Sequence, residues 1–568
     1  MSAASSVNDF SRVMVANRGE IAIRAFRACT ELGKRTVAVY SDEDSLSLHR
    51  YKADEAYLLS SELGPVEAYL DIDGIVSLAV EKDIDAIYPG YGFLAENADF
   101  ARRCQEQGIV FIGPSAEQLD HFGDKLRARE LAESAGLPVI PGTAEAVGDE
   151  DAIAFASDTG YPVMVKAVSG GGGRGMRVAR DAEELRRVLD VARREASKAF
   201  GSGDVYIEKL VRNPRHIEVQ ILADQHGRVE HLWERDCSIQ RRHQKVVETA
   251  PARGLDPEVR QKICGAAKDL MVHTGYQGAG TVEFLLGADD EFYFIEVNPR
   301  IQVEHTVTEL VMGVDLVQAQ IRVAEGRTLA EIGLPDVIPE PVGYAIQCRV
   351  TTEDPEQDFL PDAGRLTHYR SPGGFGVRLD AGTAFTGAYV SPHYDSLLVK
   401  VCTHATTFED AVRKMRRALT EFRIRGLKTN IRFLENVVTH PEFAAGGTHT
   451  GFIAAHPELL DFRPRQDRGT RLLRYIGHIA VNGQVEGPKS RIRPEFRAPP
   501  MPAPAPGWSP PTDTFKHVLD SRGPEVLVTH LRDHDRVLFT DTTFRDAHQS
   551  LLATRMRSFD LLKIARDT

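Results

Sequence analysis

The chain has 568 residues, 69 basic against 82 acidic side chains, a formal charge of −13, and hydrophobic and charged fractions of 42% and 27%. That length exceeds one core and points to about three or four domains of ordinary globular composition. The acidic balance argues against a nucleic-acid partner, and no apolar run approaches the roughly 18–20 residues that span a membrane. The N-terminal MSAASSVNDF lacks the basic-then-apolar order of a secretory signal. Six cysteines (Cys29, Cys104, Cys237, Cys264, Cys348, Cys402) form no CxxC pair, which suits reduced thiols in a cytoplasmic enzyme.

Residues 12–15 and 36–40 read as strands around a helical stretch at 20–32. A helix signal at 73–82 precedes a strand at 86–88 and the turn Pro89-Gly90-Tyr91-Gly92. Repeated βα units predict an open parallel sheet, with ligands expected beyond the strand C-termini, at residues 17–20 and 89–92. No GxGxxG follows the first strand, which disfavours a dinucleotide site. From His121 the pattern changes to a helix at 126–135, a strand at 161–167, a glycine run, a strand at 176–179, a helix at 181–200 and a strand at 205–210. These elements read as a small lid. Strands and helices continue to about 455, residues 491–511 form a proline-rich linker, and 537–540 reads as a further strand with a helix signal from about 559.

Three segments carry chemistry. In Ser169-Gly170-Gly171-Gly172-Gly173-Arg174-Gly175-Met176, backbone N–H groups can wrap phosphate oxygens, with Lys166 and Arg174 as counter-charges. A plain flexible hairpin is the alternative. No Lys-Ser/Thr opens a helix after the glycines, so the loop is a nucleotide flap rather than a Walker loop. The strands at 281–286 and 291–298 flank a four-residue loop, which would pair Glu283 with Phe294 and Thr281 with Glu296. Alternation then puts Glu283, Glu296 and Asn298 on one face, a set suited to a hard cation. A solvent-facing acidic edge is the other reading. The third segment, residues 234–245, is dense in cations, either a solvated turn or, beside a nucleotide loop, a site for a small anion such as bicarbonate.

Through VMVANRGEIAIR, YPGYGFLAEN, FIGP, VKAVSGGGGRGM, PRHIEVQ, ERDCSIQRRHQKVVE, FIEVNPRIQVEHTVTE and SPHYDSLLVK, the chain resembles the biotin carboxylase family of ATP-grasp enzymes from about residue 12 to 455. The resemblance implies an α/β architecture: an N-terminal open-sheet domain (1–120), an ATP-grasp domain (121–330) with its lid at about 141–206, and a C-terminal mixed domain (331–455). It implies ATP with Lys125 and Lys166 on its phosphates, and adenine held by Glu208 and the Lys209–Leu210 backbone. His216, Gln240 and His243 complete that pocket, with Gly171, Gly172 and Gly173 in the flap. Glu283, Glu296 and Asn298 would position Mg²⁺ or Mn²⁺; Lys245 and Arg300 would bind bicarbonate; Glu304 would be the general base; Arg349 would stabilise the biotin enolate.

The run from Phe539 to Arg555 resembles the start of the carboxyltransferase barrel of the pyruvate carboxylase family, after a linker or allosteric segment at 456–513. In a complete barrel Asp546 would ligate a second metal such as Zn²⁺ or Mn²⁺, with Arg545 and Gln549 near pyruvate. The resemblance further implies a homo-oligomer, tetrameric in the full-length family, and biotin carried on a separate domain. No Met-Lys-Met acceptor occurs, and the barrel segment, 514–568, is short, so an N-terminal fragment is expected. Arg423, Arg425, Arg465 and Arg468 match that family's acetyl-CoA arginines in type and spacing, with plain surface charge as the alternative. Another ATP-grasp ligase and a non-catalytic fragment are the competing functional readings.

Overall fold

The computed structural model describes residues 9–143, 146–168, 176–200, 203–462, 468–483, 511–547, 561, 563 and 564. It divides into two units, Met1–Pro464 and Arg465–Thr568.

The first unit opens with a parallel five-stranded sheet in the order β3-β2-β1-β4-β5: β1 Arg12–Val15, β2 Arg35–Tyr40, β3 Glu55–Leu58, β4 Ala86–Tyr88 and β5 Val110–Phe111. Alternation along β1 sends Val13 and Val15 into a core with Ile21 and Phe26 of helix Gly19–Glu31. Met14 faces the opposite core, with Ile75 and Phe100 from helices Ile72–Glu81 and Ala98–Glu106. Helices therefore cover both faces, and the topological switch lies where β1 sits between β2 and β4. There the turns after β1 and β4 meet: Asn17 Nδ2 donates to the carbonyls of Pro89 (2.7 Å) and Tyr91 (2.9 Å). Gly90 holds φ +68 there, and a Cβ would stand 3.0 Å from the Asn17 side chain, so two constraints select glycine.

A second, antiparallel three-stranded sheet, order β7-β6-β8, comprises β6 Val163–Ala167, β7 Arg177–Ala179 and β8 Val205–Lys209. Helices Asp149–Thr159 and Ala182–Phe200 pack on it through Ala152, Ala156, Leu185, Leu189 and Ala192. Its small core is separate from the others, as expected of the lid elements. The glycine run 169–175 lies outside the described residues.

The third sheet has eight strands. It includes β9 Arg215–Ala223, β10 Val229–Arg241, β11 Gln244–Ala250, β12 Gly278–Leu286, β13 Phe292–Asn298 and β14 Tyr344–Thr351, ordered β13-β12-β9-β10-β11-β14. Strands Leu397–Ala405 and Val377–Ala381 extend it. One ladder thus runs unbroken from residues of the nucleotide region into those of the C-terminal region. Helix Pro257–His273 covers one part through Val259, Ile263, Ala267 and Leu270, and helix Phe408–Glu421 another through Ala411, Met415 and Leu419.

In the second unit, helices Arg468–Asn482, Phe515–Arg522 and Pro524–Arg532 are described. The strand expected at 537–540 is not formed: Val537 is 80% exposed and Phe539 92% exposed. A parallel barrel strand exists only through neighbours that take its backbone hydrogen bonds, and the described residues supply none. Residues 543–547 instead form a single helical turn, so no barrel is present among the described residues.

Candidate active site

The long sheet carries a cavity of about 1090 Å³ between the elements of the first unit. Lys125, Lys166, Glu208, Lys209, Leu210, His216, Gln240, His243, Lys245, Glu283, Glu296, Asn298, Arg300 and Arg349 all line it. Lys125 opens helix Lys125–Ser134, whose amides are capped by Asp124.

Two antiparallel hairpins place most of the charge. Glu283 pairs opposite Glu296 and Thr281 opposite Asn298, with a bulge between Glu283 and Phe284. The expected pairing with Phe294 is therefore off by two residues: closure of the loop with Gly287 N bonding Glu291 O accounts for one and the bulge for the other. A two-residue shift preserves the face, so the side-chain set survives the register error. The cationic segment is the second hairpin, β10–β11, turned by Arg242 (φ +49) and His243 (φ +65). Two successive left-handed residues match the twist of the flanking strands, although neither is the usual Asn or Gly.

Lys245, just after that turn, donates to Glu218, to Glu283 Oε1 (2.8 Å) and to Glu304 Oε1 (2.7 Å). Burial disfavours its ammonium, but the three carboxylates outweigh that and hold its pKa well above the ordinary lysine value. The second oxygen of Glu304 accepts from Arg349 Nη2 at 3.0 Å, and Arg349 Nε donates to Glu248 at 2.6 Å. Burial opposes ionisation of Glu304; Lys245, Arg349 and Arg235 prevail and hold it below the usual carboxylate range. Arg235, fully buried, donates to Glu218, Gln220 (2.7 Å), Thr308 (2.9 Å) and Thr281 (3.1 Å).

Glu283 accepts from Asn298 Nδ2 (2.9 Å) and Gln302 Nε2 (3.0 Å), and its other oxygen lies 2.9 Å from His216 Nε2. Gln240 Nε2 reaches His216 Nδ1 at 3.0 Å, which puts the imidazole proton on Nε2, toward Glu283. Burial favours the neutral form of Glu283, but Lys245 and His216 hold its pKa well down. Glu296 behaves oppositely: burial, then the Glu283 charge across the ladder, raises it. It makes no hydrogen bond or ion pair among the described residues. An unpartnered carboxylate facing an ionised one, with the Asn298 amide beside them, fits a hard divalent cation. Arg300 donates to Asn298 Oδ1 (3.0 Å) and pairs with Glu96 (3.0 Å).

At the other end, Lys166 and Glu208 pair directly, and Arg129 lies 3.3 Å from Glu208. The Lys209 and Leu210 amides already donate to the carbonyls of Pro141 (2.9 Å) and Pro162 (3.1 Å). The next residue, Val211, lines the cavity, and its amide makes no backbone hydrogen bond among the described residues. Burial, then the neighbouring Lys166, lower the pKa of His243.

Glu218, Glu248, Gln302 and Val211 carry no role in the sequence expectation, which places Arg235 only within the cationic segment 234–245. The signal for Glu218 was the period-two polar series His216, Glu218, Gln220 on an otherwise apolar strand. Arg423 and Arg425 lie exposed on the short strand Arg423–Arg425. Arg468 begins a helix of the second unit, whereas its side chain, Arg465 and Gln549 lie outside the described residues. Arg545 pairs with Asp546 at 2.8 Å in the turn Thr543–Ala547. All six cysteines are free and buried, and no described helix is long and apolar enough to cross a membrane.

Family models match in three consecutive segments. The biotin carboxylase N-terminal domain matches residues 9–119, the ATP-binding domain of carbamoyl-phosphate synthase L chain 124–332, and the biotin carboxylase C-terminal domain 347–455. The chain is 56% identical to Bacillus subtilis pyruvate carboxylase over 99% of its own length and 49% of that protein's. A Rhizobium etli pyruvate carboxylase structure with the allosteric activator acetyl coenzyme-A is 50% identical (TM-score 0.78), covering 98% of this chain and 50% of that one. The biotin carboxylase domain of Hydrogenobacter thermophilus 2-oxoglutarate carboxylase, solved with MgADP, ADP and bicarbonate, is 46% identical (TM-score 0.78) over 80% of this chain and 99% of that domain. The chain spans about half the length of the curated relatives it matches. With three domain models in sequence and 99% of a solved biotin carboxylase domain covered, the chain belongs to the biotin carboxylase family.

Proposed function

We propose that this chain uses ATP and bicarbonate to carboxylate biotin, the first half-reaction of pyruvate carboxylation. The observation that carries the reading is Glu304, buried and held ionised between Lys245 and Arg349, both of which line the cavity. Bicarbonate is a weak nucleophile. Bound against Lys245 and Arg300, it would lose its proton to Glu304 as its oxygen attacks the γ-phosphorus of ATP, giving carboxyphosphate and ADP. Lys166 and Lys125 offset charge on the phosphate oxygens, and the Val211 amide with Glu208 receives the adenine. Glu283, Glu296 and Asn298 would hold Mg²⁺ or Mn²⁺, which supplies phosphate charge neutralisation when bound. Carboxyphosphate then releases CO₂ and phosphate. That phosphate takes the biotin N1 proton, giving an enolate that the Arg349 guanidinium stabilises, and N1 attacks CO₂.

We extend the reading to a larger pyruvate carboxylase that acts on pyruvate in the cytoplasm, with a biotinylated carrier domain and a homo-oligomeric assembly. Acetyl-CoA activation through Arg423, Arg425, Arg465 and Arg468 and a second metal at Asp546 in a complete barrel belong to that extension. The exposure of Arg423 and Arg425 supports the effector part.

The test is ATP cleavage with free biotin. Glu304→Gln should lower the bicarbonate- and biotin-dependent rate by about 10²–10⁴ while leaving ATP binding within about twofold. Full activity in that variant would remove Glu304 from the base role.

A further inference from the structure

The tripeptide His-Pro-Glu occurs twice near the end of the first unit, as His440-Pro441-Glu442 and His456-Pro457-Glu458. Each proline opens a short helical turn, Pro441–Ala445 and Pro457–Leu460, with the histidine directly ahead of it. Proline's fixed φ suits the first position of each turn, although the histidines enter differently, His440 at φ −67, ψ 135 and His456 at φ −121, ψ 73.

The copies fold against each other, with imidazole centroids 4.3 Å apart. Each glutamate reaches across to the other copy. Glu442 Oε2 lies 2.8 Å from His456 Nε2, and Glu458 Oε1 lies 3.5 Å from His440 Nε2. Glu458 also accepts from Nδ1 of its own neighbour His456 at 2.8 Å. One ligand atom each from His440, Glu442 and His456 falls within 4.8 Å of the others, and all three residues are half-buried. None of them lines the large cavity.

Both ring nitrogens of His456 lie 2.8 Å from a carboxylate, and a neutral imidazole has one proton for the two, so the other gap is filled by a second proton or a metal ion. We propose that His440, Glu442 and His456 form a zinc(II) site, distinct from the nucleotide cavity, that staples the two tripeptides together. Two imidazoles and a carboxylate match the borderline softness of zinc and leave a fourth position for water. Glu458 supplies what metal-bound histidines usually have, a carboxylate on the far nitrogen that fixes the tautomer and ring orientation. Binding through His440 Nε2 puts that ring's proton on Nδ1, at the expense of the 3.3 Å bond it accepts from the Glu442 amide. A bond that long is weak, and its loss is small beside three metal bonds.

The test is calorimetric titration of the full, chelator-treated chain with zinc chloride at pH 8, with thermal unfolding alongside. The wild type should bind one equivalent more than His440→Ala/His456→Ala, and zinc should raise its Tm by a few degrees and not that of the double variant. Glu442→Gln keeps the side-chain volume, guards against a folding failure in the double variant, and should lose the same equivalent. Glu458→Gln should bind roughly 10–100-fold more weakly. Equal stoichiometry in the wild type, the double variant and Glu442→Gln would overturn the proposal and leave a proton as the only cation between the tripeptides.

Discussion

Lys245 donates to three carboxylates at once, and only one of them, Glu304, is assigned proton chemistry. In that arrangement Glu304 is fully ionised but a weak base, since its pKa is depressed. In the proposed reaction, bicarbonate beside Lys245 would share its charge and return basicity to Glu304. The sign of a pH experiment follows. Lys245→Gln removes the nearest cation, so the Glu304 pKa rises and the acidic limb of the pH–rate profile should move to higher pH, with a lower plateau. An unmoved acidic limb would mean that Lys245 does not set the ionisation of Glu304. Stability carries the same sign: a carboxyl with a depressed folded-state pKa stabilises above its unfolded pKa of about 4.3, and that contribution is lost as pH falls through the folded value.

At the scale of elements, the β10–β11 turn sets local conformation against ligand binding. Arg242 and His243 both occupy left-handed backbone, which costs roughly 1–3 kcal/mol per residue outside glycine. His243→Gly should relieve that strain and raise Tm, while weakening ATP binding about tenfold through loss of the ring from the cavity. Differential scanning fluorimetry and calorimetric titration would separate the two effects, and a fall in Tm would contradict the strain argument. The same elements show how far the sequence can be read. Strands β1 and β4 lie at the predicted residues, and the face shared by Glu283, Glu296 and Asn298 survived a two-residue register error because side chains alternate. What failed needed partners. Glu248 is held by Arg349 and Gln347 on the adjacent β14, about a hundred residues on, and no local pattern announces that pairing. The strand expected at 537–540 had the right composition but no neighbouring strands to complete it.

Over the whole molecule, every residue lining the cavity lies within Met1–Pro464. A chain ending at Pro464 should therefore retain ATP cleavage with free biotin within about threefold of the 568-residue chain. A loss beyond tenfold would show that the second unit contributes to the site. Within the first unit, the unbroken eight-stranded sheet has a geometric consequence. From Glu283 on β12 to Arg349 on β14 there are four strand intervals, which in a flat sheet would separate their Cα atoms by about 19 Å. Yet only Lys245 and Glu304 link those two side chains by hydrogen bonds. Twist, long side chains and the ladder's register shifts bring these charges together; the shifts fall between Asp236 and Gln240, between Glu283 and Phe284, between His231 and Glu234 and between Val350 and Thr351. These irregularities act as the focal setting of the site: deleting one extra residue would leave each charged side chain intact and move their point of convergence.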